Sequence, residues 1–544
     1  MTAPPTRRAG LSIPLFSCPT TRSWGIGEIG DIPALSRWLA EAGLRVLQLL
    51  PLNEMEAHEQ SPYSAITAMA IDPLYISLAD VPEFVALGGE SALSGDDRAL
   101  LDEVRAAKRV DYSSVRRLKR RALDRSFQRF LRSARRPGSR RARALQVFVD
   151  EQSWWLDSYT LYRAVHAREQ ERPWTAWPVP LRDWDRTEVD AARLELADEI
   201  LRWQYFQWLA DTQWRAARRA ATALGVSLFG DLPFMVDGDS ADVWANQHLF
   251  RLDASLGVPP DAFSATGQDW GMPVYRWDEM AAEDFRWLRD RARRYAALYD
   301  GFRVDHLVGF YRTYGRPRDG GEPFFTPADE PSQIALGERV LGIFQSCGAE
   351  IVAEDLGVVP DFVRASLAHL GVPGFRVARW EREWHLPTHP FRDPLDYPVT
   401  SVAASGTHDT ETLAEWWANA SPEERAQVAQ IPSVMWTAAA SGETAQRDER
   451  AAQAAALDAA PFIPVVRDAL LASLFVAGSD LLLLPVQDVF GWSDRINVPA
   501  TVNDRNWSYR LEWPVDRLDE VAEACERRDR LRSWAAASGR LCQV

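Results

Sequence analysis

The stretch GFRVDHLVG, residues 301–309, decides the fold. It is a short apolar run that brings an arginine and an aspartate to one face, because residues two apart in a strand point the same way. Arg303 and Asp305 therefore stand side by side at the end of a candidate strand. Two other segments, EIVAEDLG at 350–357 and SVAASGTHD at 401–409, are also apolar runs that stop at a carboxylate. Working outward, the pattern gives eight candidate strands: residues 11–16, 45–52, 227–234, 302–307, 351–356, 374–380, 401–407 and 480–486. Most follow a helical stretch; residues 32–42, for instance, space Ile32, Leu35, Trp38 and Leu39 like a helix face packed on a sheet. Near-continuous apolar strands alternating with helices predict a parallel sheet buried on both faces. Eight such units predict a (β/α)8 TIM barrel in the α/β class. GIGEIG at 25–30 has the GxGxxG spacing but does not directly follow the candidate strand at 11–16, and no P-loop occurs, so a nucleotide-binding open sheet is not indicated.

The strands are unevenly spaced. Roughly 175 residues lie between the second and third, so residues 53–226 are expected to form an inserted, mostly helical region within a single catalytic barrel over residues 1–544. Eight tryptophans fall in that interval, from Trp154 to Trp214. Residues 257–278, GVPPDAFSATGQDWGMPVYRWD, read as a polar loop with embedded Phe263, Trp270, Tyr275 and Trp277. An exposed loop that carries large aromatics is expected to cover a ligand. After Trp507 the pattern predicts a closing helix over residues 515–536 and no separate C-terminal β-sandwich.

Composition narrows the function classes. The net charge is −15 at pH 7 and the pI near 5.2, which argues against nucleic acid as a partner. One segment opposes that balance: residues 116–143 hold thirteen Arg or Lys and a single acid, Asp124. Its helical spacing reads as a solvated helix pair broken at Pro137-Gly138. Cys18, Cys347, Cys525 and Cys542 show no metal-type spacing and suit a reducing, cytoplasmic setting. The N-terminal residues lack an apolar signal-peptide core, and the longest aliphatic run, Leu481 to Leu484, is too short to span a bilayer. A membrane partner is therefore not expected.

In a barrel of this kind the active site lies at the C-terminal strand ends. The acids there are Asp231, Asp305, Glu354 or Asp355, Asp409 and Asp488. Glu354 and Asp355 point to opposite faces, so one of the two enters the mouth. Arg303 should keep Asp305 ionised and oriented, which suits attack on an anomeric carbon. Any one of these acids alone reads equally as a helix cap or ion-pair partner. His306 and His408 each adjoin a strand-end aspartate and could bond sugar hydroxyls or simply pack. With eight histidines and no HxH or HExxH, no metal site is expected, and no GxSxG nucleophile is present.

Taken together, the residues resemble glycoside hydrolase family 77, the 4-α-glucanotransferases of amylomaltase type. The resemblance rests on SPYS at 61–64, GDLPFMVDGDSADVW at 230–244 and the VPPD…TGQ…WG.P.YRWD segment at 258–278. RVDH at 303–306, AEDLG at 353–357, GTHD at 406–409 and N.P.T…NW at 497–507 complete it. It implies transfer of α-1,4-glucan segments between maltooligosaccharides through a covalent intermediate, without a cofactor, by a monomer or homodimer. It implies Asp305 as nucleophile, Glu354 as acid/base and Asp409 as the residue that holds the sugar's hydroxyls. Tyr63, Asp231, Arg303, His306, His408 and Asn497 would line the donor site, with Phe263 and Trp270 on the covering loop. Three positions depart from the family pattern. Ala262 replaces a frequent tyrosine, Thr410-Glu411 follow the third acid in place of Asn-Asp, and Ala500 replaces a glycine. A retaining α-1,4-glucan hydrolase and a non-catalytic glucan-binding protein are the alternatives.

Overall fold

The computed structural model describes residues 7–56, 59–134, 138–260, 267–440 and 456–541. Eight parallel strands close into a barrel: β1 (Arg8–Ser12), β2 (Val46–Gln48), β3 (Ser227–Leu232), β6 (Gly301–Val304), β9 (Glu350–Ala353), β10 (Gly374–Val377), β11 (Ser401–Ala404) and β12 (Leu481–Pro485). Around the barrel the order is β1-β12-β11-β10-β9-β6-β3-β2. This is the (β/α)8 barrel that the strand pattern predicted, with every strand within a few residues of its expected place. The first strand begins at Arg8 rather than residue 11, because Arg8 pairs with Leu481 ahead of the apolar run.

The strands are mainly apolar because both of their faces are largely buried. In β12, Leu481 and Leu483 join Val46, Phe229, Val352, Phe375 and Val402 in the barrel interior. Leu482 and Leu484 face outward into the larger core beneath the helices. The interior is filled tightly. A Cβ on Gly301 would lie 2.5 Å from the Phe229 ring, so Phe229 can fill the barrel only beside a glycine.

Between β2 and β3 the chain forms mainly helices, the longest being Tyr112–Ala134, Arg140–Arg168 and Ala197–Ala223. The basic segment starts on the first and continues on the second. A four-stranded sheet of order β5-β4-β7-β8 stands beside the barrel: β4 (Phe250–Val258), β5 (Gln268–Tyr275), β7 (Thr313–Pro317) and β8 (Phe324–Thr326). This corrects the expectation of a plain loop at 257–278, since residues 268–275 pair antiparallel with β4. Ala262 and Phe263 lie outside the described residues. The expected closing helix is split into a short 3-10 turn, Val515–Glu520, and the helix Ala522–Ala537. Among the described residues no strand follows β12, and no helix is long and apolar enough to cross a membrane.

Candidate active site at the barrel mouth

Arg303 is the pivot of the mouth. It lies in β6, in register with Asp231 of β3, and is buried. Its Nη1 donates to Asp231 Oδ2 at 2.6 Å, and its Nη2 lies 2.8 Å from Asp305 Oδ1 and 3.7 Å from Glu354 Oε2. Burial works against the guanidinium charge, but the surrounding Asp231, Asp305, Tyr63 and Glu354 more than offset it and raise its pKa. Burial also raises the Asp231 pKa, with Arg303 opposing it, and the Tyr63 hydroxyl donates to Asp231 at 2.8 Å.

Beyond β6 the chain turns sharply at His306, whose φ of 41° is in the left-handed region. The turn aims the His306 backbone N–H at Glu354 Oε2, 2.6 Å away. The imidazole packs edge-on against Phe234 and Trp270, with ring centroids at 5.6 and 4.8 Å. Burial lowers its pKa to about 4, Asp305 opposing, so the ring is neutral at pH 7. Glu354 behaves in the opposite sense. Burial raises its pKa to about 8, with Arg303 lowering it and the Asp305 charge adding to the rise. The carboxyl therefore carries its proton at pH 7. Both acids reach one nitrogen of Arg303, which favours the close carboxylate spacing of about 5–5.5 Å used in retaining glycosidases.

Asp409 completes the acids from the loop after β11. Its Oδ1 accepts from Asn497 Nδ2 at 2.7 Å, and its Oδ2 lies 3.2 Å from His408 Nε2. Burial would raise its pKa, but His408, the Asn497 amide and Arg303 together hold it below the usual carboxylate range. Above it the His408 ring stacks on Tyr63 at 5.3 Å and 19°. Trp507 adds a third ring, 5.7 Å from both. Trp507 was quoted in a motif but not expected as a site residue; its signal was the polar turn Asn503 to Asn506 that precedes it.

The mouth thus brings together Tyr63, Asp231, Arg303, Asp305, His306, Glu354, His408, Asp409 and Asn497, with Trp270 against His306. Two strand-end acids have other duties. Asp355 faces away from the mouth and accepts from Phe375 N at 2.7 Å and Arg376 Nη1 at 3.1 Å, tying β9 to β10. Asp488 accepts from Ser405 Oγ at 2.5 Å and from Leu413 N at 2.7 Å, at the start of the helix Leu413–Asn419. Among the described residues no group of three or more His, Cys, Asp and Glu is placed to hold a metal ion.

Ala500, one of the three departures from the family pattern, takes a backbone conformation that favours glycine. It is exposed with a φ of 59°, a left-handed position that costs alanine about 1 kcal/mol relative to glycine. Ala500→Gly is expected to slow amide exchange at Val498 and Asn506, whose N–H groups are bonded within this loop, by roughly fivefold. Unchanged exchange at both amides would show that the loop does not carry this strain.

A barrel mouth with two closely set carboxylates beside stacked rings has the parts needed to work on glycosidic bonds. The sequence profile of the family described as 4-alpha-glucanotransferase, glycoside hydrolase family 77, matches residues 13–516. The 4-alpha-glucanotransferase of Thermus thermophilus is 33% identical over 533 residues, covering 93% of this chain and 96% of that one. That of Chlamydia pneumoniae is 31% identical over 515 residues, covering 94% and 92%. The amylomaltase of Streptococcus agalactiae, solved in complex with acarbose, has the same fold: TM-score 0.78 at 24% identity, covering 98% of this chain and 99% of that one. The chain belongs to the 4-alpha-glucanotransferase family.

Proposed function

We propose that this chain transfers α-1,4-glucan segments to the 4-hydroxyl of acceptor glucans by double displacement, with Asp305 as nucleophile and Glu354 as acid and base. The observation that carries the assignment of roles is the shared Arg303 nitrogen. One carboxylate lies 2.8 Å from that cation, while the other, farther off, is pushed up to a pKa of about 8 by burial. One carboxyl set against the cation and one raised in pKa are what nucleophile and acid require.

Asp305 attacks the anomeric carbon, and Glu354 passes its proton to the departing glycosidic oxygen, leaving a glucosyl ester on Asp305. Glu354, now ionised, takes the proton from an acceptor 4-hydroxyl as that oxygen displaces Asp305, so configuration is retained. Asp409, held by Asn497 and His408, accepts hydrogen bonds from ring hydroxyls. The stacked Tyr63 and His408 rings, with Trp507 tilted against both, give the donor sugar an aromatic wall. Every group named comes from one chain, so a monomer or a homodimer would serve. The free thiols of Cys18, Cys347 and Cys525 are compatible with a cytoplasmic setting.

The proton on Glu354 sets a pH limit. Because its pKa is raised, the acid is present below about pH 8 and lost above it. We expect kcat/KM on maltotriose to fall about tenfold per pH unit above that point. A profile flat to pH 10 would contradict the assignment of Glu354.

Transfer is separated from hydrolysis by product analysis. With maltotriose as sole substrate we expect glucose and maltopentaose while total reducing ends stay nearly constant, because each bond broken is remade. Trp270, packed on the residue whose N–H holds Glu354, would favour a sugar over water. Trp270→Ala should shift the partition toward water roughly fivefold, for a stacking contact of about 1 kcal/mol. Reducing ends that rise in step with cleavage in the wild type would establish a hydrolase; glucan binding without products would establish a binding protein.

A further inference from the structure

Away from the mouth, a cavity of about 230 Å3 opens between the helices Arg140–Arg168, Ala241–Ala245 and Arg286–Leu298. Five aromatic side chains line it: Trp154, Trp155, Tyr159, Trp184 and Trp287. Short polar groups stand between them, among them Ser158, Asp242, Asn246 and Asp290. We propose that this cavity is a second carbohydrate site that takes the end of an α-1,4-glucan. The identity of the glucan rests on the function proposed above.

A pyranose ring presents a C–H face that lies against indole and a rim of hydroxyls that seeks carboxylate and amide partners. This cavity alternates the two kinds of surface. Trp184 is held at a φ of 56°, a conformation rare for a bulky side chain, with its ring edge-on to Trp244 at 4.3 Å.

Other ligand classes fit less well. Aromatic rings beside carboxylates also suit an organic cation, but the charges of three arginines that already lie against these rings would repel one. Arg293 lies 4.7 Å from the centroid of Trp154, Arg294 4.6 Å from Trp155 and Arg291 5.4 Å from Trp287. An anion would meet Asp242, Glu283 and Asp290, with Arg286 as the single cation among the described lining residues. A wholly apolar ligand would displace water from Ser158, Asn246 and Asp290 without replacing its hydrogen bonds. A neutral polyhydroxyl ligand satisfies both surfaces.

The cavity also adjoins the segment that feeds the mouth. Thr67 and Met69 line it, and Asp242 Oδ2 accepts from Ala68 N at 2.7 Å. Tyr63 stands four residues before Thr67. A glucan end bound here is therefore anchored on the segment that delivers Tyr63 to the donor site.

The test counts sites by calorimetric titration of Asp305→Asn protein with maltohexaose, a background in which turnover does not consume the ligand. We expect two sites per chain. Adding Ser158→Phe, which fills the cavity from a half-exposed helix position, or Trp154→Ala, which removes one ring, should leave one. The two variants change volume in opposite directions, so a shared loss of one site with retained melting temperature identifies the cavity. An unchanged site count in both folded variants overturns the proposal. The count is independent of the transferase reading. A chain that loses one site in these variants but, with Asp305 intact, leaves maltotriose untouched would contradict that reading and keep the second site. One that disproportionates maltotriose with an unchanged count would do the reverse.

Discussion

Asp305→Asn lowers turnover of maltotriose by about four orders of magnitude or more, while the fold and glucan binding persist. An amide cannot form the glucosyl ester, so the first displacement has no acceptor atom of comparable nucleophilicity. The fold should survive because Arg303 keeps Asp231 at 2.6 Å and Glu354 at 3.7 Å as partners. Asp305 is also partly exposed, so its replacement leaves no buried charge unpaired. Initial rates and a thermal melt check the two halves of this expectation. Residual activity above about a tenth of wild type in a clean preparation would remove Asp305 from the nucleophile role.

Glu354→Gln separates substrates by their leaving groups. A natural glucan needs its departing oxygen protonated, and loss of a positioned acid costs about 10² to 10⁴ in rate. An α-glucosyl fluoride needs no such proton, so formation of the glycosyl-enzyme should survive within about tenfold. The intermediate should then accumulate, because the glutamine cannot take the proton from an acceptor hydroxyl. The same variant should lose the fall in kcat/KM above about pH 8, since the group that titrates there is gone. Equal losses on both donors would point away from an acid/base role for Glu354.

How much of this could be read from the sequence follows from where each segment is buried. Barrel strands are apolar on both faces, so runs such as Leu481 to Leu484 stand out. Their ends are where polarity returns, which is why Asp305, Glu354 and Asp409 were visible. The opposite facing of Glu354 and Asp355 also followed from the two-residue strand period. The four-stranded sheet was not legible. β4 and β5 carry exposed residues, such as Leu252-Asp253 and Gln268-Asp269, and β4 pairs with β7 some 60 residues away. Such strands show neither an apolar run nor a short turn between partners. Asp488 shows the limit of the strand-end argument. It has the same sequence setting as the other acids, yet both of its oxygens are taken by Ser405 and Leu413. Only the folded chain shows which partners a carboxylate has found. Trp507 was hidden for a similar reason, since its contacts with Tyr63 and His408 join segments more than 400 and nearly 100 residues apart.

The account stands most directly on the bond formed at Asp305. Glu354→Gln protein incubated with α-glucosyl fluoride, quenched in acid and digested, should yield the peptide containing Asp305 with the added mass of a glucosyl residue. Asp305→Asn/Glu354→Gln protein treated in the same way should yield none. A glucosyl adduct on Asp409 or Asp231 would contradict the account. So would unlabelled protein in a variant that still consumes the fluoride without a burst.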